Sequence, residues 1–430
     1  MPNSKLPPEG SKEWEEEVKW YVQATREEVA ERATALGYAD VSYYDRVFRR
    51  RGVKVDTPFA DIPKRIEVDV EESSLKREAK YYKKLYQEAV TQIGLQTVVA
   101  KAIKDIAVSI PPIRVVTNEP LQVSKGRGSE TAVLQLSDLH AGEVVEGEAT
   151  LGLAQYDFGL MNRRLDLLFR KVLDLVTLRR SALNINSLII AQQGDMVSGD
   201  IHDELVRTNV ENMMTLCVRT AYVVSQGIAY LAPHFNKIEV VCVVGNHPRL
   251  YSKPYFKEKY VNWDYMMYQW EAVFCRDLKN VKFIIPKSPF YLTNAEKTRL
   301  LIMHGDSIKS WMGIPWYGIE RTVYRLRDML QGKGERFDSV LLAHFHNRAE
   351  LDKVTGPIVI NGSVKGGDEF SIGSLQTVNQ PSQNLLYYHD KHGYLGGGPI
   401  YLKDADHNPK LGFKDFLPDI WSSLRLGERE

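Results

Sequence analysis

Apolar residues in this chain gather in five short runs, each ending at polar residues able to hold a metal ion. Thr131–Leu136 runs into Asp138 and His140, and Ser187–Ala191 into Gly194 and Asp195. Ile238–Val244 runs into Gly245, Asn246 and His247, Leu300–Met303 into His304, and Val340–Leu342 into His344 and His346. Short Val/Ile/Leu-rich runs separated by stretches of helical period predict buried parallel strands of an α/β domain. Ligands collect beyond the carboxyl ends of such strands. Five polar clusters at five strand ends therefore predict a metalloenzyme.

Between the runs, Phe158–Arg180 spaces Leu160, Leu165, Leu168, Val172 and Val176 as a helix, and Glu204–Leu231 predicts a second long one. The first 70 residues read as a small helical module. Ser11 suits the N-cap of a helix ending at Gln23, with glutamates in its early turns. Thr25 and Glu28 form a capping-box pattern that opens Thr25–Leu36, and Gly37 stops it. Ser42–Arg51 predicts the next helix, before Gly52. Two helices across a short glycine-containing connection fit a helix-turn-helix. The second carries Tyr43, Tyr44, Arg46, Arg49, Arg50 and Arg51, a set suited to DNA phosphates and bases. A helical module with a solvated basic edge fits the same pattern.

Ser73–Ile110 predicts a long amphipathic helix through Leu75, Tyr82, Leu85, Ile93, Val98 and Ile106, either a spacer or a homodimer contact. Pro111-Pro112 ends it, and residues to about Glu130 have linker composition. The expected division is a helical module over 1–70, a helix and linker over 71–130, and a catalytic domain over 131–430.

Composition narrows the class. The 43% hydrophobic and 26% charged fractions are those of an ordinary globular protein, and no apolar run approaches the roughly 18–20 residues of a membrane span. The start, Met1-Pro2-Asn3-Ser4-Lys5, has no apolar h-region. Cys217, Cys242 and Cys275 are far apart and read as buried free thiols. A cytoplasmic protein without membrane association is the expectation. A net charge of +1 means that any contact with nucleic acid comes from a local basic patch.

The donors at the strand ends are carboxylate, amide and imidazole, with no thiolate, which suits Mn, Fe or Zn. One ion would not need so many; two ions bridged by a carboxylate, roughly 3.5–4 Å apart, would. In order the segments read Ser-Asp-Leu-His (137–140), Gln-Gly-Asp-Met (193–196), Val-Gly-Asn-His (244–247), Met-His-Gly-Asp (303–306) and Ala-His-Phe-His (343–346). This series resembles the calcineurin-like metallophosphoesterases, whose motifs run D-x-H, G-D, G-N-H, H and G-H-x-H, over roughly Thr131 to Ser363. The resemblance implies a four-layer αββα sandwich. It further implies that Asp138, His140 and His346 hold one metal, Asp195 bridges both, and Asn246, His304 and His344 complete the second site. His247 would contact substrate without ligating. Chemistry would run through a metal-bridged hydroxide attacking phosphorus, with Mn²⁺ the expected ion.

Two positions depart from the family pattern. Pro248-Arg249 stands where an acidic residue usually follows G-N-H, so His247 lacks its usual acidic partner there; Asp200, Asp203 or Glu204 are substitutes, and Arg249 suits a substrate phosphate. Ala343 replaces a glycine, a small steric change. His202 reads as a surface or supporting residue, and Asn361-Gly362-Ser363 as either a site lining or a plain turn. Trp311, Trp316 and Tyr317, after His304, suit stacking on a base or ordinary packing. The leading expectation is a phosphodiesterase of the Mre11/SbcD-like nuclease kind acting on DNA. A protein or nucleotide phosphomonoesterase is the alternative, and an inactive DNA-binding protein a third reading.

Overall fold

The computed structural model describes residues 6–38, 41–51, 53, 128–199, 201, 211–251, 253, 257, 259–309, 315–374 and 376–415. The chain divides into two compact units, Met1–Ile106 and Ala107–Glu430. The helix expected over 73–110, the linker up to residue 127, and Asp200, His202, Asp203, Glu204 and Trp311 lie outside the described residues.

The first unit contains α1 (Lys12–Gln23), α2 (Arg26–Ala35) and α3 (Val41–Arg50). Both anticipated caps form: Ser11 Oγ accepts from Trp14 N at 3.1 Å, and Thr25 and Glu28 make a reciprocal capping box. Gly37 leaves α2 with φ of +70°, a conformation that favours glycine. Trp14, Tyr21, Val29, Ala33, Tyr44 and Phe48 form the core. Glu17 is buried among them, accepting from Tyr44 Oη at 2.7 Å and from two nitrogens of Arg32 at 2.7 and 3.2 Å.

The second unit is built on two sheets. The larger has the order β11-β10-β1-β2-β3-β4. In it β1 (Ser129–Leu136), β2 (Asn184–Gln192), β3 (Lys237–Cys242) and β4 (Val281–Ile284) run parallel, while β10 (Ser382–His389) is antiparallel to both β1 and β11 (Gly393–Tyr401). The smaller has the order β5-β6-β7-β9-β8. Here β6 (Thr298–Met303), β7 (Ser339–Leu342) and β9 (Ile358–Ile360) are parallel, with β5 (Phe290–Ala295) and β8 (Ala349–Leu351) antiparallel at the edges.

Alternation along the strands explains the layers. Leu300 and Ile302 on β6, Leu341 on β7 and Val359 on β9 face Val133, Ile189 and Val241 of the larger sheet in one shared core. The intervening Leu301, Met303, Val340, Leu342, Ile358 and Ile360 pack instead against Ile319, Val323 and Leu330 of helix α7 (Trp316–Gln331). Strands buried on both faces need apolar residues at every position, which is why the sequence shows continuous runs. On the larger sheet, α4 (Phe158–Arg180) packs on β2 and on α5 (Met213–Leu231), which packs on α6 (Trp263–Phe274). The result is the expected αββα sandwich.

Of the helix expected over Glu204–Leu231, the described part is α5 from Met213, and 202–210 lie outside the described residues. Asn212 accepts from Thr215 N at 3.0 Å, so its side chain replaces the helical partner that this N–H would otherwise lack. Cys217, Cys242 and Cys275 are buried free thiols. Among the described residues no helix is long and apolar enough to cross a membrane.

Candidate metal centre

The five strand ends converge. Asp138, His140 and His346 bring one ligand atom each into a group whose atoms all lie within 4.8 Å of one another, and Asp195, His304 and His344 do the same. Asn246 Oδ1 lies 3.0 Å from His304 Nε2, placing it with the second group. Asp195 also joins His140 and His247 in a third such group, so it sits where the two sets meet. Every residue expected to hold metal is therefore in one place.

Backbone strain concentrates here. Among the described residues eight non-glycine residues have a left-handed φ, and five of them are Asp138, His140, Asp195, His344 and His346. Such a conformation costs an L-residue roughly 1–3 kcal/mol and persists only where surrounding structure enforces it. The enforcement is visible. Asp138 N donates to Gly194 O and His140 N to Asp195 O, both at 3.0 Å, so the loops after β1 and β2 lock together. A Cβ on Gly194 would lie 2.2 Å from Gly245 N, and one on Gly245 would lie 2.1 Å from Asp195 Oδ1. The glycines of the G-D and G-N-H segments are needed because two backbones touch.

Around the donors lies a buried polar scaffold that periodicity could not reveal. Asp264, at the start of α6, accepts from Asp195 N, Met196 N and Gly245 N at 2.9–3.0 Å. Burial and the neighbouring charge of Asp195 push its carboxyl up to about 7. Ser137 Oγ donates to Asp138 Oδ2 at 2.6 Å and itself accepts from Asn361 Nδ2 at 2.9 Å. Ser363 Oγ donates to Asp138 O at 3.0 Å, so the Asn361-Gly362-Ser363 segment supports the site. Beside His140, Lys365 Nζ donates to Glu143 Oε1 at 2.8 Å and also to Asp368, while Glu143 Oε2 lies 3.8 Å from His140 Nδ1. The signal for Asp264 was its place two residues after the capping Asn262; nothing in a single sequence connects it to Asp195.

The electrostatics suit cations. His304 Nδ1 donates to Gln193 O at 2.6 Å, which turns Nε2 towards Asn246 Oδ1 at 3.0 Å and Asp195 Oδ2 at 3.1 Å. A neutral ring in that tautomer would aim a lone pair at two oxygens. Either a proton or a metal ion must therefore occupy that space. Burial opposes the proton, yet Asp195 and Asp138 lift His304 to about 10. Burial likewise works against ionisation of Asp195, and the imidazoles of His304, His247 and His140 still hold its carboxyl well below the usual range. His344 is brought down to about 4 by burial and by His304, and His140 well below its ordinary value by burial and by Lys365. Neutral imidazoles and ionised carboxylates are the forms that ligate divalent metals. The residues fit a dinuclear centre.

His247 brings a ring nitrogen within 4.8 Å of ligand atoms of His140 and Asp195, its ring centre 4.6 Å from that of His140, and its backbone N–H donates to Asp195 Oδ1 at 2.8 Å. Arg249 donates to Asn246 O and Tyr251 O, both at 2.9 Å, and so braces the G-N-H loop. In the first unit, Arg46, Arg49 and Arg50 are exposed on the side of α3 opposite the buried Tyr44 and Phe48. Arg51 lies over the Trp14 ring at 4.6 Å and donates to Pro7 O. Tyr44 serves the core, and the Tyr43 side chain is outside the described residues.

A comparison with curated proteins gave no match. Among solved structures the chain is similar to Vacuolar Protein Sorting 29 from Cryptosporidium parvum, with 13% identity, 64% of this chain and 100% of that one covered, and a TM-score of 0.26. It is also similar to a hypothetical protein from Pyrococcus horikoshii (11%, 69% and 95%, 0.33) and to an archaeal phosphodiesterase (10%, 63% and 99%, 0.28). The calcineurin-like phosphoesterase family model matches residues 131–372, more than half of the chain, and spans every candidate metal donor described above. The chain belongs to the calcineurin-like phosphoesterase family, whose members hold a dinuclear divalent metal centre and hydrolyse phosphoesters.

Proposed function

We propose that this protein is a nuclease: a phosphodiesterase that cleaves DNA at the dinuclear centre, with Mn²⁺ as its ion. The observation that carries the hydrolytic part is the convergence of seven donors in two sets sharing Asp195. The choice of Mn²⁺ rests on oxygen and imidazole donors without thiolate. When bound, a pair of such ions supplies Lewis acidity at phosphorus and acidifies water.

The chain's own residues set the rest. Asp138 and Asp195 provide the negative charge that lets two dications sit close together, while Asn246 contributes a neutral oxygen. His247, beside His140 and tied through its backbone to Asp195, is placed to hold a proton for the departing oxygen. Arg249 keeps the loop bearing Asn246 and His247 in shape. The choice of DNA is supported by the exposed Arg46, Arg49 and Arg50 on α3, which suit phosphate contacts.

The test is hydrolysis of end-labelled single- and double-stranded DNA with Mn²⁺, by wild type and by Asp195→Asn. Cleavage by wild type alone supports the proposal. Rapid turnover of small phosphomonoesters with no cleavage of DNA would replace it with a phosphatase.

A further inference from the structure

Near the carboxyl end of β6, beyond His304, a cavity of about 840 Å³ opens between the Ser307–Lys309 segment and α7. Ser307, Lys309, Tyr317, Gly318, Arg321, Thr322 and Arg325 line it. Three of these seven are cations and none is acidic. Nearby carboxylates are engaged elsewhere: Glu320 with Lys353, and Asp306 with Lys259 at 2.7 Å. Among the described residues Lys309, Arg321 and Arg325 form no ion pair, and all three are exposed.

The local build explains the shape. Ile319, Val323 and Leu330 turn one face of α7 into the core. Tyr317, Arg321 and Arg325 then fall at successive i, i+4 positions on a solvent-facing side, about 6 Å apart along the helix. Asp328 is exposed one turn further on but does not line the cavity. A Cβ on Gly318 would lie 2.0 Å from Lys309 O, so glycine lets the lysine-bearing segment close onto the helix as the groove's floor. Exposed aromatic rings accompany the cations: Tyr317 is 57% and Tyr324 74% exposed.

We infer that this groove binds a single strand of nucleic acid, with Lys309, Arg321 and Arg325 on successive phosphates and Tyr317 stacking on a base. Regularly spaced cations beside an exposed ring distinguish it from a pocket for one small anion, and match what a polyanion with π-faces requires. The inference rests on the phosphodiester reading for the identity of the polymer. It places a strand contact in the catalytic unit itself, independent of α3.

The test measures binding of a fluorescein-labelled 20-nucleotide DNA strand to the full chain by anisotropy, with chelator present so that nothing is cleaved. Arg321→Ala/Arg325→Ala should weaken binding about ten-fold at low salt. It should also lower the slope of log K against log salt by about 1.4, the share of two phosphates on a single strand. Tyr317→Ala should weaken binding at least five-fold while leaving that slope unchanged. Lys297→Ala, an exposed cation at the opposite end of β6, should do neither, and thermal unfolding confirms that each variant is folded. Unchanged affinity and slope in the double variant would overturn the inference, as would equally tight competition by polyglutamate. Metal-loaded wild type that binds the strand through these arginines yet cleaves no DNA would overturn the nuclease reading and leave the groove assignment standing.

Discussion

His304 shows most directly how one residue here serves the metal chemistry. Its Nδ1–H is committed to Gln193 O, and its Nε2 faces Asn246 and Asp195. Burial opposes a proton on this ring, but Asp195 and Asp138 push it up to about 10, so an ion ligated there at neutral pH would have to displace a proton. Metal binding at pH 7–8 should therefore release about one proton per chain from this residue, and affinity should rise with pH up to about 10. Calorimetric titration in buffers of different ionisation enthalpy measures the release; buffer-independent heats would contradict the assignment. His247 makes a different case. His247→Ala should retain both metals while losing on the order of 10²–10⁴ in rate. Metal analysis beside steady-state kinetics would decide it, and loss of either metal in the variant would make His247 a ligand. Motif order alone made the candidate ligands legible. The tautomer of His304 was not legible, because it depends on a carbonyl 111 residues away in sequence.

At the scale of elements, the centre depends on loops that are strained and braced together. Asp264 gathers three N–H groups from the loops after β2 and β3. Asp264→Ala would leave those buried donors without their acceptor, costing roughly 2–5 kcal/mol. Released from their brace, Asp195 and Asn246 should bind metal about 10–100-fold more weakly. Urea unfolding with parallel metal titration measures both, and a variant unaltered in each would remove Asp264 from the site. Strand existence and the two N-terminal caps could be read directly, since apolar runs, a Ser or Thr ahead of a helix and glutamates in its first turn are local signals. The start of α5 could not. Asn212 caps α5 by accepting from Thr215 N, and the apolar periodicity carries no mark of that capping bond. On α3, the arginine run looked uniform, yet Arg51 folds onto Trp14 while Arg46, Arg49 and Arg50 stay exposed. A difference of one or two positions around a helix changes which face a side chain joins.

At the scale of the whole molecule, candidate donors come from five strand ends in two sheets, so metal binding would tie the sheets together. Only the folded chain assembles such a site, so metal should stabilise it by mass action. Mn²⁺ at about 100 times its Kd contributes about 2.7 kcal/mol, which should raise the melting temperature by about 5 °C. Differential scanning calorimetry with and without Mn²⁺ checks this, and Asp195→Asn should remove most of the shift. An equal shift in the variant would show that the ion stabilises the chain elsewhere.

The sequence by itself determined the class of fold and the family, and it named seven candidate donors that the structure brings together. Each of these is carried by local pattern: an apolar run long enough to cross a buried sheet, then a polar segment of fixed order. Only the tertiary structure decided how those segments are held. The pairing of Gly194 with Gly245, the three donors on Asp264, the Lys365–Glu143 support beside His140 and the groove on α7 all join residues distant in the chain. Contacts of that kind follow from which backbones the two sheets press together, and a single sequence leaves no periodic trace of them.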